Sequence, residues 1–381
     1  MTPGNDPIYL DHNATTPILP EVVEAMLPYL TEHFGNPSSG HVYGQRTMEA
    51  VIMARAQVAE LLGCRPQEVF FTSGGTESNN LAIRGVAAAR PDRTHIVTSV
   101  IEHPATEMPC SYLENLGYGI TRLPVDEFGM VRTDSLSSVL SENTALVTVM
   151  HANSETGTLQ PISEIAEAAH RNGAAVHTDA AQSTGKILYT VDELAVDLLS
   201  IVGHKMYAPK GIGALYVREG TAIAPQMLGG GHEHGLRSGT ENVPYIVGLG
   251  KACEIAKIGA EAEAARISGL RDRLWGSLKA ALPDLELNGH PDLRLPNTLN
   301  VRFPGVSGNA LLANAPEIAA STGSACHAED EAASAVITAM GLSETEAIGS
   351  VRLTLGRGTV ERDIQTAAEA LVGAFDTANH S

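Results

Sequence analysis

Lys205 is the residue of this 381-residue chain that is best placed by its neighbours to do covalent chemistry. It follows His204 at the end of the apolar stretch 198–202, and a glycine-rich segment, 211–217, comes next. A lysine held at a strand end among apolar residues loses solvation, so its pKa falls and the neutral amine becomes a nucleophile. A lysine that forms a Schiff base with a carbonyl group needs this property. A solvated His-Lys pair on the surface is the alternative.

Asp179 lies close to the end of a second apolar stretch, 174–177. Functional groups of open α/β sheets gather at the carboxyl ends of the strands. An aspartate there could pair with the pyridinium nitrogen of pyridoxal 5'-phosphate (PLP) and so keep the ring protonated and electron-withdrawing. The alternative is an N-cap for a following helix, for which aspartate is a favoured residue. The short separation from Lys205 along the chain favours the cofactor.

A turn that contains Gly74 and Gly75 joins a predicted strand, 68–72, to a run compatible with a helix. The glycines let backbone N–H groups approach a phosphate, the start of a helix favours the anion, and Thr76 adds a hydroxyl donor. The segment lacks the lysine of a nucleotide-binding P-loop, so ATP or GTP binding is not expected. An ordinary connection between a strand and a helix would have a similar sequence.

Cys326 ends a run of small residues, 321–326, and precedes His327 and an acidic segment. Free cysteines are usually buried and inert, which is one interpretation of this residue. However, the stretch 328–333 contains almost no bulky apolar residue that could enclose the thiol. We therefore predict a thiol that can reach a substrate bound to the cofactor.

Together these motifs resemble the PLP-dependent cysteine desulfurases of the class V aminotransferases, in their NifS-like and IscS-like branch. The resemblance extends from the segment 9–17 to the segment 352–357, which is nearly the whole chain. The matching motifs between these two segments lie at 35–39, 72–79, 102–103, 153–157, 179–182, 203–205, 229–231 and 237–242. The resemblance implies an α/β protein of PLP fold-type I, similar to aspartate aminotransferase, with a mostly parallel sheet in a large domain and a smaller α+β domain.

The resemblance also implies a role for each matching residue. Lys205 would bind the cofactor covalently and later move protons at the substrate Cα, while His103 would stack on the ring and take a proton. Cys326 would attack the substrate sulfur and become a persulfide. The further residues that would contact the cofactor are Gly75, Thr76, Asn153, Asp179, Gln182, His204 and, from the other subunit of a homodimer, Thr240. Of these, Gln182 and Asn153 would contact the ring hydroxyl or the substrate. The residues that would contact the substrate are Asn13, Asn153 and Arg352, the last as a clamp on its carboxylate.

The implied reaction removes sulfur from L-cysteine and yields L-alanine and an enzyme persulfide. The persulfide would pass to an acceptor protein in iron–sulfur assembly, tRNA thiolation or DNA phosphorothioation. Val202 departs from the pattern, because many relatives have a phosphate-binding serine at that position. The segment 201–205 and the Cys326-His327 pair also resemble selenocysteine lyases, so selenocysteine is an alternative substrate. A third hypothesis, a non-catalytic scaffold for sulfur relay, is disfavoured by the presence of Lys205, Cys326 and Arg352.

The charge and composition restrict the possible partners. With 44 acidic and 25 basic residues the formal charge is −19, which opposes direct binding to nucleic acids or anionic membranes. The spacing of the four cysteines suggests neither disulfides nor zinc. His232 and His234 lack further paired ligands, so no metal is expected. Because we find no signal peptide and no apolar run of membrane length, we expect a cytoplasmic enzyme.

Apolar strands alternate with helical stretches from about residue 50 to 250, which predicts a mostly parallel sheet with helices on both faces. Strands are predicted at 68–72, 96–100, 145–149, 174–177, 198–202, 211–217 and 294–303. A long helix over 251–282 would link the domains, and an amphipathic helix would span 361–378. We expect a large PLP-binding domain over 14–255 and a small domain, 1–13 with 256–381, that carries the cysteine loop.

Overall fold

The computed structural model describes residues 6–323 and 333–380, so the predicted residues Cys326 and His327 lie outside the described part of the chain. The strands, in chain order, are β1 (Ile8–Tyr9), β2 (Val69–Thr72), β3 (His95–Ser99), β4 (Gly119–Leu123), β5 (Thr144–Thr148), β6 (Ala175–Asp179), β7 (Leu198–Val202), β8 (Gly213–Val217), β9 (Glu286–Asn288), β10 (Thr298–Arg302), β11 (Ile318–Ala319) and β12 (Ser350–Thr354).

The helices, in chain order, are α1 (Pro20–Thr31), α2 (Val42–Leu62), α3 (Gly75–Ala89), α4 (Pro104–Asn115), α5 (Thr133–Val139), α6 (Ile162–Arg171), α7 (Val243–Ala281), α8 (Gly308–Ala313), α9 (Ala335–Ala339), α10 (Glu344–Ile348) and α11 (Glu361–Asn379). Of the helices in the described ranges, none combines the length and the apolar character needed to cross a membrane.

A seven-stranded sheet with the order β2-β8-β7-β6-β5-β3-β4 forms the centre of the molecule. From β4 to β7 all neighbouring strands are parallel, whereas β8 runs antiparallel to both β7 and β2. The strands β5 to β8 are buried along their whole length, as expected for a sheet that is covered on both faces. The predicted α/β class with a mostly parallel sheet is confirmed.

Helices cover the two faces of this sheet, and neighbouring residues of one strand point to opposite faces. On β3, Ile96 packs in a cluster with residues of α3 and α4, whereas Val97 packs in the cluster that contains residues of α1, α2, α5 and α6. On β5, Leu146 packs in the same cluster as Ile96, and Val147 packs in the same cluster as Val97. The helices thus lie against the faces of the sheet, and the carboxyl ends of the parallel strands meet at one edge, where ligands bind in sheets of this kind.

A second core is built around the antiparallel strands β9, β10 and β12 together with α11. Helix α7 joins the two cores, because Leu249 and Cys253 pack in the first and Leu270 and Leu274 pack in the second. The predicted linking helix is present but begins earlier, at Val243, since a proline is acceptable in the first turn of a helix. The domain boundaries proposed from the sequence stay a prediction.

The N-terminal segment also connects the two cores. Strand β1 pairs in parallel with β11, and Asp11 forms a bridge with Thr354 of β12. A few residues later the backbone N–H of Thr16 donates to the carbonyl oxygen of His204 at 2.9 Å. This course carries Asn13 to the carboxyl edge of the large sheet.

Candidate active site

Lys205 lies on a short 3-10 turn, Gly203–Lys205, directly after β7. The turn packs tightly, since a Cβ added to Gly203 would lie 2.7 Å from Ile212 Cγ2. The Lys205 Nζ donates to the carbonyl oxygens of Asn13 at 2.6 Å and Ala14 at 2.7 Å. Burial, with a further contribution from the nearby Arg352, lowers the pKa of Lys205 to about 8. A substantial fraction of the amine is therefore neutral just above neutral pH.

Asp179 is the last residue of β6, the strand beside β7, and its side chain is buried. Its carboxylate accepts hydrogen bonds from Asn79 Nδ2 at 2.7 Å and from the Ala181 N–H at 2.9 Å. Residues 180–187 form turns rather than an α-helix, so Asp179 does not act as a helix N-cap. Both recorded donors are neutral, and a buried carboxylate held only by neutral donors favours a cationic partner such as a pyridinium N–H.

His103 caps the N-terminus of α4, where its Nδ1 accepts from the Ala105 N–H at 3.1 Å. This bond fixes the orientation of the ring. Desolvation lowers the pKa of His103, and the negative charge of Asp179 partly opposes this effect. The imidazole is thus neutral at physiological pH, and because Nδ1 is the acceptor, the proton of the neutral ring is on Nε2.

The neighbouring Glu102 is a site residue to which the sequence interpretation assigned no role. Its Oε1 accepts from Ser99 Oγ at 2.5 Å and from the Met150 N–H at 3.0 Å. Its Oε2 is buried and has no hydrogen-bond partner among the described residues. Burial raises the pKa of Glu102 to about 8, so this carboxyl is mostly protonated at neutral pH.

The turn before α3 borders a cavity of about 290 Å³ that has the properties of a phosphate site. Gly75, Thr76, Val202, His204 and Lys210 are among its lining residues. The start of a fifteen-residue helix faces the cavity and favours an anion. A Cβ on Gly75 would lie 2.6 Å from Val202 Cγ2, so the absence of a side chain at this position is required. Burial lowers the pKa of His204 to about 4, and its Nδ1 lies 3.1 Å from Thr15 Oγ1.

Arg352, in the middle of β12, brings a buried cation to the same region. Its Nη2 lies 2.8 Å from Asp11 Oδ1, and its Nη1 donates to the Ser154 carbonyl oxygen at 3.2 Å. Its Nε is buried and has no partner among the residues that the structure describes. The site therefore holds an enclosed guanidinium with an unused donor, which is suitable for binding a carboxylate.

Asn13 lies beside Lys205, but its side-chain amide is fully occupied by other residues. Its Oδ1 accepts from Lys186 Nζ at 2.7 Å and from Asn297 Nδ2 at 3.0 Å. Its Nδ2 donates to the Ser154 carbonyl oxygen at 3.1 Å and to Thr298 Oγ1 at 2.9 Å. The group of Asn13 that meets the reactive amine is its backbone carbonyl.

Asn153 and Gln182 differ in how their amides are used. The Oδ1 of Asn153 accepts from the N–H groups of Glu155 at 2.8 Å and Thr156 at 3.0 Å, so this oxygen closes a local turn. Gln182, by contrast, donates from Nε2 to the Asn13 carbonyl oxygen at 3.0 Å, beside Lys205. The arrangement leaves Gln182 better placed than Asn153 to contact a group bound to Lys205.

Thr240 is exposed and follows a segment that two ion pairs attach to the rest of the subunit. Glu233 lies 2.7 Å from Arg55, and Arg237 lies 2.7 Å from Glu77 on α3. These contacts hold Thr240 at the surface, where a residue that serves another subunit has to be.

Two further polar residues of the site, Asn79 and Lys186, were missed by the sequence interpretation. Asn79 lies one helical turn after Thr76, which is a spacing that could have indicated it. Lys186 is the one charged residue of the stretch 180–191. A single charge in an otherwise uncharged stretch could have indicated a residue of the site.

Comparisons with known proteins agree with this geometry. A model of the aminotransferase class-V family matches residues 8–366. A cysteine desulfurase of Trichormus azollae is 49% identical over 366 residues, which cover 96% of this chain and 92% of that protein.

Solved structures extend the similarity to three dimensions. A NifS-like protein superimposes with a TM-score of 0.90 at 34% identity, over 98% of this chain and all (100%) of that one. The structure of SspA in complex with cysteine superimposes with a TM-score of 0.80 at 37% identity, over 92% of this chain and 99% of that one. The predicted resemblance, fold type and PLP cofactor are confirmed, and the chain belongs to the aminotransferase class-V family.

Proposed function

We propose that this chain is a PLP-dependent cysteine desulfurase that converts L-cysteine into L-alanine and a persulfide on Cys326. The observation that carries the proposal is the position of Lys205, whose partly buried amine is held by two backbone carbonyls near Asp179 and Arg352. The amine supplies the nucleophile, the carboxylate suits a ring nitrogen, and the guanidinium suits a substrate carboxylate.

In this proposal each residue has a limited task. Bound PLP withdraws electrons from the substrate Cα, and Asp179 keeps its ring nitrogen protonated. The turn at Gly75 and Thr76, with His204, holds the phosphate, and Arg352 orients the substrate through its carboxylate. Lys205 removes and returns the proton at the Cα.

Sulfur transfer requires a thiolate and a proton acceptor. His103 takes the proton of the substrate thiol on its Nδ1, which gives up the bond from the Ala105 N–H in this step, because Nε2 already holds the proton of the neutral ring. Cys326, as the thiolate, attacks the substrate sulfur, so that an S–S bond forms, the C–S bond breaks, and the bonding electrons remain on the carbon that becomes the alanine methyl group. The persulfide sulfur is then passed to an acceptor protein.

We also propose that the active form is a homodimer in which Thr240 completes the phosphate site of the other subunit. Apolar residues are exposed on consecutive helices, namely Leu27 and Leu30 on α1 and Ile52 and Met53 on α2. Phe34, which lies between these helices, is 78% exposed. Apolar exposure of this extent is typical of a protein interface.

The proposed setting is the cytoplasm, and the proposed acceptor is a protein rather than a nucleic acid or a membrane. The described cysteines, Cys64, Cys110 and Cys253, are unpaired, in keeping with a reducing compartment. The formal charge of −19 disfavours direct contact with polyanions.

The test is turnover by the purified holoprotein. L-cysteine is expected to yield alanine and, with a reductant, sulfide, whereas Lys205→Ala should have no visible absorbance and no activity. The segment 201–205 resembles selenocysteine lyases, so selenocysteine is assayed in parallel. If the protein converts selenocysteine but not cysteine, then selenocysteine is the substrate. If neither amino acid yields alanine, the proposal is wrong.

A further inference from the structure

Lys186 is a second partly buried lysine beside Lys205. Its Nζ donates to Asn13 Oδ1 at 2.7 Å and to Gln182 Oε1 at 2.8 Å, both of which are neutral amide oxygens. Burial and the nearby positive charges of Lys205 and Arg352 lower the pKa of Lys186 well below its usual value. Placing a lysine in a partly desolvated position where its recorded acceptors are all neutral is unfavourable, which indicates a role within the site.

The turn that carries Lys186 has a fixed shape. Gly185 has a φ of 78°, and a Cβ at this position would lie 3.2 Å from Met206 Cβ. The Thr184 hydroxyl donates to the Ala180 carbonyl oxygen at 2.9 Å and lies 2.6 Å from the Tyr189 hydroxyl. The direction of the Lys186 side chain is therefore set by the backbone and by its packing.

Lys186 in turn decides the orientation of the Gln182 amide. A glutamine amide has a donor end and an acceptor end that are similar in size, so its hydrogen-bond partners determine which end points where. Because the Lys186 amine binds the oxygen of Gln182, the Nε2 faces the opposite direction. There it donates to the Asn13 carbonyl oxygen at 3.0 Å, the same atom that accepts from Lys205 Nζ at 2.6 Å.

We propose that Lys186 is a positioning residue that holds the Gln182 amide with its N–H group towards Lys205, so that Gln182 presents a donor to the ring hydroxyl oxygen of PLP. This inference rests on the proposed function, in which Gln182 contacts the cofactor. A donated hydrogen bond stabilises the anionic form of that oxygen. Without Lys186 the amide is free to turn, and its oxygen would then repel the ring oxygen.

The inference is tested by the visible absorbance of the holoprotein as a function of pH, which depends on the charge state of the group joined to Lys205. The Lys186→Met variant removes the donor and keeps an unbranched side chain that is one atom shorter. We expect the midpoint of the absorbance titration to rise by about 0.5 to 1 pH unit, the equivalent of one ordinary hydrogen bond. Lys257→Met, an exposed lysine of α7, is the matched control and should keep the wild-type midpoint.

Removal of Lys186 also changes the electrostatic field at Lys205, and a double variant separates this effect from the one on Gln182. If Lys186 acts through Gln182, then Lys186→Met adds no shift in a Gln182→Ala background. Additive shifts, or an unchanged midpoint in Lys186→Met alone, would overturn the inference. The remaining charged groups around Lys205, namely Arg352, Asp11 and Asp179, are the same in all four proteins.

Two further measurements keep the result decisive. If Lys186→Met does not fold, as judged by the melting temperature of the apoprotein, Lys186→Arg takes its place. Arginine keeps the donor, so the midpoint must stay at the wild-type value, and a shift would count against the inference. Wild-type protein that binds no PLP, or that shows the visible band without Lys205, would contradict the cofactor site and not the role of Lys186.

Discussion

Three partly or fully buried side chains meet at the site. Lys205 comes from the turn after β7, Asp179 from the end of β6, and Arg352 from the middle of β12. Each would be unfavourable in a core without a partner, and each has contacts that fix its position but leave part of its binding capacity unused. The combination of a depressed lysine pKa, a carboxylate with neutral donors and a guanidinium with an unpartnered Nε is the main argument for a ligand site here.

Cys326 is expected to be needed for sulfur transfer but not for cofactor binding. The Cys326→Ser variant should bind PLP and bind cysteine with the same spectral change as the wild type, yet hold no protein-bound sulfane sulfur, because a hydroxyl cannot form a persulfide. Chemical assay of sulfane sulfur after a single turnover checks this prediction. Full sulfur release by the variant in the presence of a reductant would show that another group is the nucleophile.

Glu102 is expected to make the stability of the apoprotein depend on pH. Burial raises its pKa from 4.5 to about 8, so in this range the folded state keeps a proton that the unfolded state has lost. The stabilisation is complete below the unfolded pKa and is lost as the pH rises through the folded one. The Glu102→Gln variant has no such proton, so its free energy of unfolding should fall less over this range, by at least about 1 kcal/mol.

Urea unfolding of the wild type and the variant at several pH values measures this difference. The exposed Glu32→Gln serves as the control and should follow the wild-type curve. If Glu102→Gln and the wild type have the same dependence on pH, then Glu102 is ionised in the folded protein.

At the scale of elements, the parallel strands were predictable, because strands that are buried on both faces are uninterrupted apolar runs. The strand predicted at 198–202 has the same bounds in the structure, and those at 96–100 and 145–149 are displaced by one residue. The strand predicted at 294–303 is shorter, Thr298–Arg302, since Pro296 has no N–H to donate to a neighbouring strand.

Contacts that join distant parts of the chain were not predictable in this way. The approach of Asn13 to Lys205 and Lys186 depends on how the N-terminal segment crosses between the two cores, and no local pattern encodes that route. The family motifs indicated most residues that line the site, but they did not indicate that the Asn13 amide is occupied by other side chains.

The phosphate turn gives a prediction at this scale. The Val202→Ser variant places a hydroxyl beside Gly75 in the cavity, so it should bind PLP about five- to tenfold more tightly, as one additional hydrogen bond would allow. The Val202→Ala variant removes the same methyl groups without adding a donor. Titration of the apoproteins with PLP compares the two, and equal affinities for the serine and alanine variants would mean that the hydroxyl does not reach the phosphate.

At the scale of the whole molecule, the long helix α7 packs in both cores and so joins them through one continuous element. The surface that carries Thr240 lies on the same lobe as the phosphate turn, because Arg237 and Glu77 connect the two. In a dimer this lobe would therefore contain both its own phosphate turn and the threonine that serves its neighbour.

Mixed dimers test whether Thr240 of one subunit serves the phosphate site of the other. A dimer of one Lys205→Ala subunit and one Thr240→Ala subunit should contain one complete site, formed by the intact Lys205 of one chain and the intact Thr240 of the other. That site should bind PLP with wild-type affinity, whereas the Thr240→Ala homodimer should bind it several-fold more weakly after losing one hydrogen bond. If the mixed dimer binds as weakly as that homodimer, Thr240 acts within its own subunit.

The early segment around Asn13 has a consequence for biosynthesis. Its backbone N–H donates to Thr354 Oγ1 at 3.0 Å, and its amide contacts Asn297 and Thr298. These partners lie 284 to 341 residues after Asn13, so a ribosome has to translate that stretch before they exist. The carbonyl that holds the reactive amine is therefore fixed in place only after Thr354 has been made, and loading of the vitamin B6 derivative is expected to follow that step.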